Sequence, residues 1–174
     1  MKGKCKDRTK RISLLALFIS FAMILGYIES LIPIAIGIPG VKIGLPNLVI
    51  VIVLYQLTEL DGWIVDFFRI IIVGLLFGNL FSICFSMVGG ILSYLIMCIL
   101  HRFKCHILTS SIAGGITHNI GQFVVALFLI KNNLLWYYYP WLMLTGLAAG
   151  VCNGILAGSI YRQTKRILHL NLQE

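Results

Sequence analysis

The 174-residue chain reads as an all-α integral membrane protein, a bundle of six transmembrane helices, and three observations lead there. Hydrophobic residues make up 59% of the chain and charged residues 11%, and the mean hydropathy of +0.96 lies far outside the soluble range. The apolar residues fall into runs that match a bilayer core of about 30 Å, which takes roughly 20 helical residues to cross. The basic residues collect in the segments between alternate runs. Residues 1–11 form a basic N-terminal segment, 12–161 a single membrane domain and 162–174 a basic C-terminal segment, so no soluble domain is left over.

The first run, Ile12 to Pro33, follows a basic segment as a signal peptide would. It is long, and no small-x-small cleavage site precedes a polar mature region, so an uncleaved first helix is expected. The second, Ile43 to Leu57, is short for a span. Residues 62–100 form one apolar block, cut at Gly78-Asn79 into Trp63 to Phe77 and Leu80 to Leu100, because a block of this length fits two helices and a tight turn better than one helix. The fifth run is Ile107 to Ile130 and the sixth Pro140 to Tyr161.

Charge orients these helices. Lys2, Lys4, Lys6, Arg8, Lys10 and Arg11 precede the first run, Arg102 and Lys104 follow the fourth, and Arg162, Lys165 and Arg166 follow the sixth. Only Lys42 and Lys131 fall on the other side. The positive-inside rule then predicts a multi-pass protein of the cell membrane with both termini cytoplasmic. The net charge of +8 reflects that orientation and contact with anionic headgroups, not a nucleic-acid partner. Trp136, Tyr137, Tyr138, Tyr139 and Trp141 stand where an outer aromatic belt belongs.

Several chemistries find no support. Cys5, Cys84, Cys98, Cys105 and Cys152 form no CxxC pair and imply no disulfide framework. His101, Cys105 and His106 are close in sequence, but their number and spacing match no metal site, and a solvated basic loop is expected instead. The Gly3-Lys4 pair is followed by Cys5 and lacks the glycines of a Walker A loop, so the chain carries no ATPase motif of its own. No cofactor is implied.

The polar residues of the fifth run are the informative ones. In "ILTSSIAGGITHNIGQFVVALFLI", His118 lies about 16 Å and Gln122 about 22 Å from the cytoplasmic end at 1.5 Å per residue. His118 and Gln122 are related as i,i+4, Asn119 and Gln122 as i,i+3, which puts the three on one helix face together with Ser111, Gly114, Gly115 and Gly121. Asn153 of the sixth run reaches a similar depth, with Thr145 above it. Polar atoms at that depth are costly unless paired, so this layer must face away from lipid. It either ties helices together or lines a ligand site. A His and two amides offer more donors and acceptors than an interhelical bond needs, which favours the site.

Small residues indicate which helices converge. Gly146, Gly150, Gly154 and Gly158 recur every four residues along the sixth run and form a groove for another backbone. Ser82, Ser86 and Gly90 make a weaker stripe on the fourth, and Ala16, Ser20, Ala22 and Gly26 make small-xxx-small pairs on the first. The fourth, fifth and sixth helices are therefore expected to enclose a pocket, with Ser86 among its contacts. Glu29 lies near the outer end of the first helix, next to the apolar loop "PIAIGIPGVKIGLPN". That loop is expected to fold back over the bundle and bring Lys42 and Asn47 to the outer mouth. Asp66 and Arg69 are i,i+3; pairing and snorkelling is expected of Asp66, whereas the deeper Arg69 is a candidate anchor for an interior network.

"PGVKIGLPN", "FFRIIIVGLLFGN", "FSMVGGILSYLIM", "SIAGGITHNIGQ" and "YYYPWLMLTGLAAGVCNG" together resemble the Gx transporter family, also described as heptaprenyl diphosphate synthase component I, over about residues 12 to 160. The HNxGQ element is the specific part. Pro46 departs from the family's "GLAN". That family is in turn similar to the substrate-binding S components of energy-coupling-factor transporters. The resemblance implies six helices, cytoplasmic termini, a lid made by the first loop, a ligand site among helices four to six, and contact of Ala16, Ser20, Ala22 and Gly26 with a membrane coupling subunit. The ligand contacts expected are His118, Asn119, Gln122, Asn153 and Ser86, with Glu29, Lys42, Asn47 and Arg69.

The two family descriptions imply different functions. Prenyl diphosphate synthesis needs clustered aspartates to hold Mg²⁺ on the diphosphates. Asp7, Asp61 and Asp66 are scattered, so a catalytic role is not expected. The leading expectation is a substrate-capture subunit for a small hydrophobic or vitamin-like molecule, working with separate coupling and ATPase subunits. The alternative is a noncatalytic membrane accessory of isoprenoid or quinone synthesis, partnered by a polyprenyl synthase, or of a membrane redox pathway.

Overall fold

A computed structural model describes residues 2–31, 44–130 and 133–170, with side chains over 8–31, 44–129 and 135–164. The described residues form α1 (Lys2–Leu31), α2 (Leu45–Gln56), α3 (Glu59–Phe77), α4 (Leu80–Arg102), α5 (Ile107–Ile130), a 3-10 turn (Asn133–Tyr137) and α6 (Tyr139–Leu170), with no strand among them. The expected limits of α5 match, and so does the cut in the 62–100 block. Asn79 begins α4 by accepting a 2.8 Å hydrogen bond from Ser82 N on its side-chain oxygen. Helix α3 starts four residues earlier than expected, at Glu59 rather than Trp63. Thr58 and Asp61 form a reciprocal capping box there, each side chain bonding the other's backbone N–H. Helices α1 and α6 run on through the basic segments, where Lys, Arg and Gln are good helix formers.

Four helices are long and apolar enough to cross a membrane, over Arg8–Leu31, Leu80–Arg102, Ile107–Leu129 and Leu135–Thr164. The expectation of six such spans is thus met by length and composition in four. Helix α3 carries Glu59, Asp61, Asp66 and Arg69. Helix α2 has only 12 residues, about 18 Å. It is the interior helix: Pro46 and every residue from Leu48 to Leu54 are buried. An all-apolar helix belongs where apolar groups surround it, and here the other helices supply them. Around it the outer surface is apolar, with Leu17, Leu75, Leu80 and Ile155 each more than half exposed, a surface that suits hydrocarbon rather than water.

Charges gather at one end of the bundle. Arg11 of α1 pairs with Asp61 at 2.6 Å, and Arg102 at the end of α4 pairs with Glu59 at 2.7 Å. The Arg102 hydrogen bond holds the Glu59 carboxyl below the usual carboxylate range. Burial pushes the Asp61 carboxyl up, but hydrogen bonds from Thr58 and Arg11 outweigh it and hold it down.

The first helix divides its small residues between two faces. Ala16 and Ser20 are exposed, whereas Ala22 is fully buried and Gly26 packs against Val73 of α3. Ala22 and Gly26 are therefore occupied by the chain's own core, and only Ala16 and Ser20 of the expected stripe present an outer surface.

Candidate functional site

Helix α5 lies between α4 and α6, and its paired glycines decide what each face meets. A Cβ on Gly114 would come within 2.7 Å of the Met97 sulfur, and one on Gly121 within 2.7 Å of Gly89 Cα, both in α4. A Cβ on Gly115 would instead strike the Gly146 carbonyl of α6. Gly150 faces the α5 backbone at Ser111 and Ile112, and Gly154 faces Leu108 and Ser111. The four-residue glycine repeat of α6 is the seat of α5, as its spacing predicts.

These contacts separate residues expected to share one face. His118 falls on the α4 side against Gly89, and Gln122 Nε2 sits 3.1 Å from His118 Nε2. Asn119, one residue and about 100° further round, falls on the α6 side. Its Nδ2 donates to the Leu142 carbonyl at 2.7 Å and to Thr145 Oγ1 at 3.3 Å. Asn153 Nδ2 donates to the Gly44 carbonyl at 2.9 Å. Half of each amide therefore ties elements together.

Gly44 is the junction. Its φ of 72° is left-handed backbone, natural for glycine at the start of a helix that opens Leu45-Pro46. Glu29 Oε1 accepts from its N–H at 2.6 Å, while Asn153 holds its carbonyl at 2.9 Å, so α1 and α6 grip one residue from both sides. Three residues on, Asn47 Oδ1 accepts from Arg69 at 2.7 Å, and Arg69 Nε bonds Asp66 at 2.8 Å. Asp66 and Arg69 pair as expected, but at 3% and 8% exposure they are buried and do not snorkel. The anchor role assigned to Arg69 is carried through Asn47.

A small cleft, with a free volume of about 20 Å³ inside and open at its mouth, lies where these elements meet. Gly44, Asn47 and Val51 of α2 form one wall. His118, Asn119 and Ser111 of α5 form another, and Asn153, Ala149, Gly150 and Gly146 of α6 the third. The expectation that helices four, five and six enclose the pocket needs correction: α4 contributes only Met97, and α2 takes its place. The continuous apolar run of α2 gave no sign of facing a pocket, although "GLPN" at its start was a visible one. Of the other expected contacts, Gln122 is buried beside His118 and Ser86 is half-buried, and neither lines the cleft. Glu29 and Arg69 stand behind Gly44 and Asn47. Asn47 lines the cleft, with Asn153 on the other side of Gly44, and Lys42 lies outside the described residues.

Residues 18–160 match the family described as heptaprenyl diphosphate synthase component I. The chain belongs to that family. The matched segment takes in every lining residue of the cleft, from Gly44 to Asn153. No curated protein and no solved structure matches the chain.

Proposed function

We propose that the chain is a noncatalytic, membrane-embedded substrate-binding subunit for a small hydrophobic or vitamin-like molecule, working with a membrane coupling subunit and ATPases. The observation that carries this reading is the convergence of Asn47, His118, Asn119 and Asn153 on one cleft between three helices. Sites of this kind sit between helices, mostly apolar with a few placed polar groups. Both termini lie in the cytoplasm on this reading, because the ion-paired end of the bundle is also the end rich in Lys and Arg. Ala16 and Ser20 are the small residues free to meet a coupling subunit.

The family's description favours a second reading, a noncatalytic membrane accessory of heptaprenyl diphosphate synthesis partnered by a polyprenyl synthase. Asp61 and Asp66 are each held by an arginine, which argues against their gathering Mg²⁺ for diphosphate chemistry in this chain. Gentle purification from the native membrane, with mass spectrometry of co-purifying proteins and small molecules, separates the two. Coupling and ATPase subunits with a retained small molecule support the first. A polyprenyl synthase with an empty cleft supports the second and overturns the first.

A further inference from the structure

The hydrogen bonds that fix the cleft's amides also fix what each amide has left to offer, and from this we infer that the cleft selects an uncharged ligand presenting both hydrogen-bond donors and an acceptor, such as a carboxamide or lactam. The inference rests on the proposed binding role. Asn and Gln orientations are ordinarily ambiguous, because O and N look alike. Here the partners remove the ambiguity. A carbonyl only accepts, so Asn119 must turn its NH₂ to Leu142 O, and Asn153 must turn its NH₂ to Gly44 O. A guanidinium only donates, so Asn47 must turn its Oδ1 to Arg69.

What remains is Oδ1 of Asn119, Oδ1 of Asn153 and Nδ2 of Asn47. Among the described residues none of these three atoms has a hydrogen-bond partner, yet none is sealed from solvent. Since Asn119 and Asn153 are only 5% and 4% exposed and line the cleft, the cleft is where that access lies. Its three asparagines therefore offer two acceptors and one donor. Among the described residues no charged side chain lines the cleft, and Arg69, which bonds the lining Asn47, is paired with Asp66 at 2.7 Å. A carboxylate or phosphate would enter without a counter-ion and would meet two oxygens, an arrangement that penalises anions.

The test uses matched pairs, nicotinamide against nicotinate and benzamide against benzoate, with geranyl diphosphate as the family-inspired anion, on the purified full chain in lipid nanodiscs. Binding is read by ligand-observed NMR and by the shift in melting temperature. Ala149→Leu, which fills the cleft, reports whether binding is at this site. The amides are expected to bind at least about 10-fold more tightly than their carboxylates, the effect of one buried hydrogen bond made or left unmet. Asn47→Asp keeps an oxygen for Arg69 and replaces the open donor by an acceptor; it should weaken amide binding about 10-fold with the melting temperature of the free protein retained. Carboxylates or the diphosphate binding as well as the amides, and displaced by Ala149→Leu, would overturn the inference and leave the binding role standing. Loss of that anion binding in Lys42→Gln would locate the missing cation in the preceding loop. If none of the five probes binds at the cleft of the folded wild type, both the inference and the binding role fall.

Discussion

Arg69 is the residue on which the interior of the bundle is expected to depend most, and the cost of losing it can be worked from its contacts. Its guanidinium makes a 2.8 Å bond and a 2.7 Å contact to Asp66 Oδ1 and a 2.7 Å bond to Asn47 Oδ1, with side chains only 9% and 4% exposed across the ion pair. Arg69→Met keeps the stem and removes the charge, leaving Asp66 a buried carboxylate without its partner. Breaking a buried pair from one side costs about 3–5 kcal/mol. A chain of this size loses about 2–4 °C per kcal/mol, so the melting temperature should drop by about 6–20 °C. Arg69→Met with Asp66→Leu removes both charges and leaves only Asn47 Oδ1 unmet, about 1–3 kcal/mol. The double variant should therefore melt above the single one. The assay is thermal unfolding of the ligand-free protein in one detergent, followed by tryptophan fluorescence. A double variant as unstable as Arg69→Met would refute the reasoning, since the penalty would then not come from a stranded charge.

The carboxyls of Glu59 and Asp61 are held below their ordinary values of 4.5 and 3.8, so the stability they supply is present above those values and lost as the pH falls through the depressed ones. Melting temperature should be flat from neutral pH to about 5 and fall below about 4, with a smaller acid loss in Arg102→Gln; a decline that begins near neutrality would contradict this. Gly115→Val should part α5 from α6 and abolish a cooperative melt, because its Cβ meets the Gly146 carbonyl and the Gly150 backbone. Gly158→Ala, whose Cβ meets only the Ile107 side chain at 3.3 Å, should melt like wild type; equal damage from both would show that the glycine stripe does not act by backbone contact. Ala16→Leu with Ser20→Leu should leave the melting temperature unchanged and reduce co-purification with a coupling subunit, whereas Ala22→Leu with Gly26→Leu should lower stability by about 1–3 kcal/mol or more through overpacking. Destabilisation by the first pair would place those residues inside the fold.

Much of this architecture was legible in the sequence because its signals are local. The limits of α5 follow from the polar residues that flank its apolar run in the sequence, and the Gly78-Asn79 turn from an asparagine able to cap the next helix. The start of α3 was missed because the cap is polar, Thr58 and Asp61, while the span was bounded by apolar residues alone. Hydropathy cannot separate a helix buried in protein from one bathed in lipid, so the interior place of α2 could not be read from "LVIVIVL". The two flanks of α5 could have been. Gly114, His118 and Gly121 are spaced i, i+4, i+7, and Gly115 and Asn119 i, i+4, so the doublet Gly114-Gly115 already sets out one stripe for each neighbouring helix.

Tying helices together and holding a ligand, as proposed above, are not rival uses of these amides, because the structural hydrogen bonds occupy one polar atom of each side chain and leave the other open. At Asn119 and Asn153 the structural half is Nδ2 and the open half Oδ1, whereas at Asn47 the assignment is reversed. Alanine removes both halves at once, so an alanine variant at any of the three would lose stability and affinity together and could not tell one use from the other. Aspartate separates them at one position only. At Asn119 or Asn153 it would delete the donor that a backbone carbonyl needs and strand that carbonyl, but at Asn47 it keeps an oxygen facing Arg69, replaces the open donor by an acceptor and adds a negative charge that Arg69 faces. Asn47 is thus the position where a loss of affinity, with the free protein's melting temperature held, can be assigned to the ligand alone.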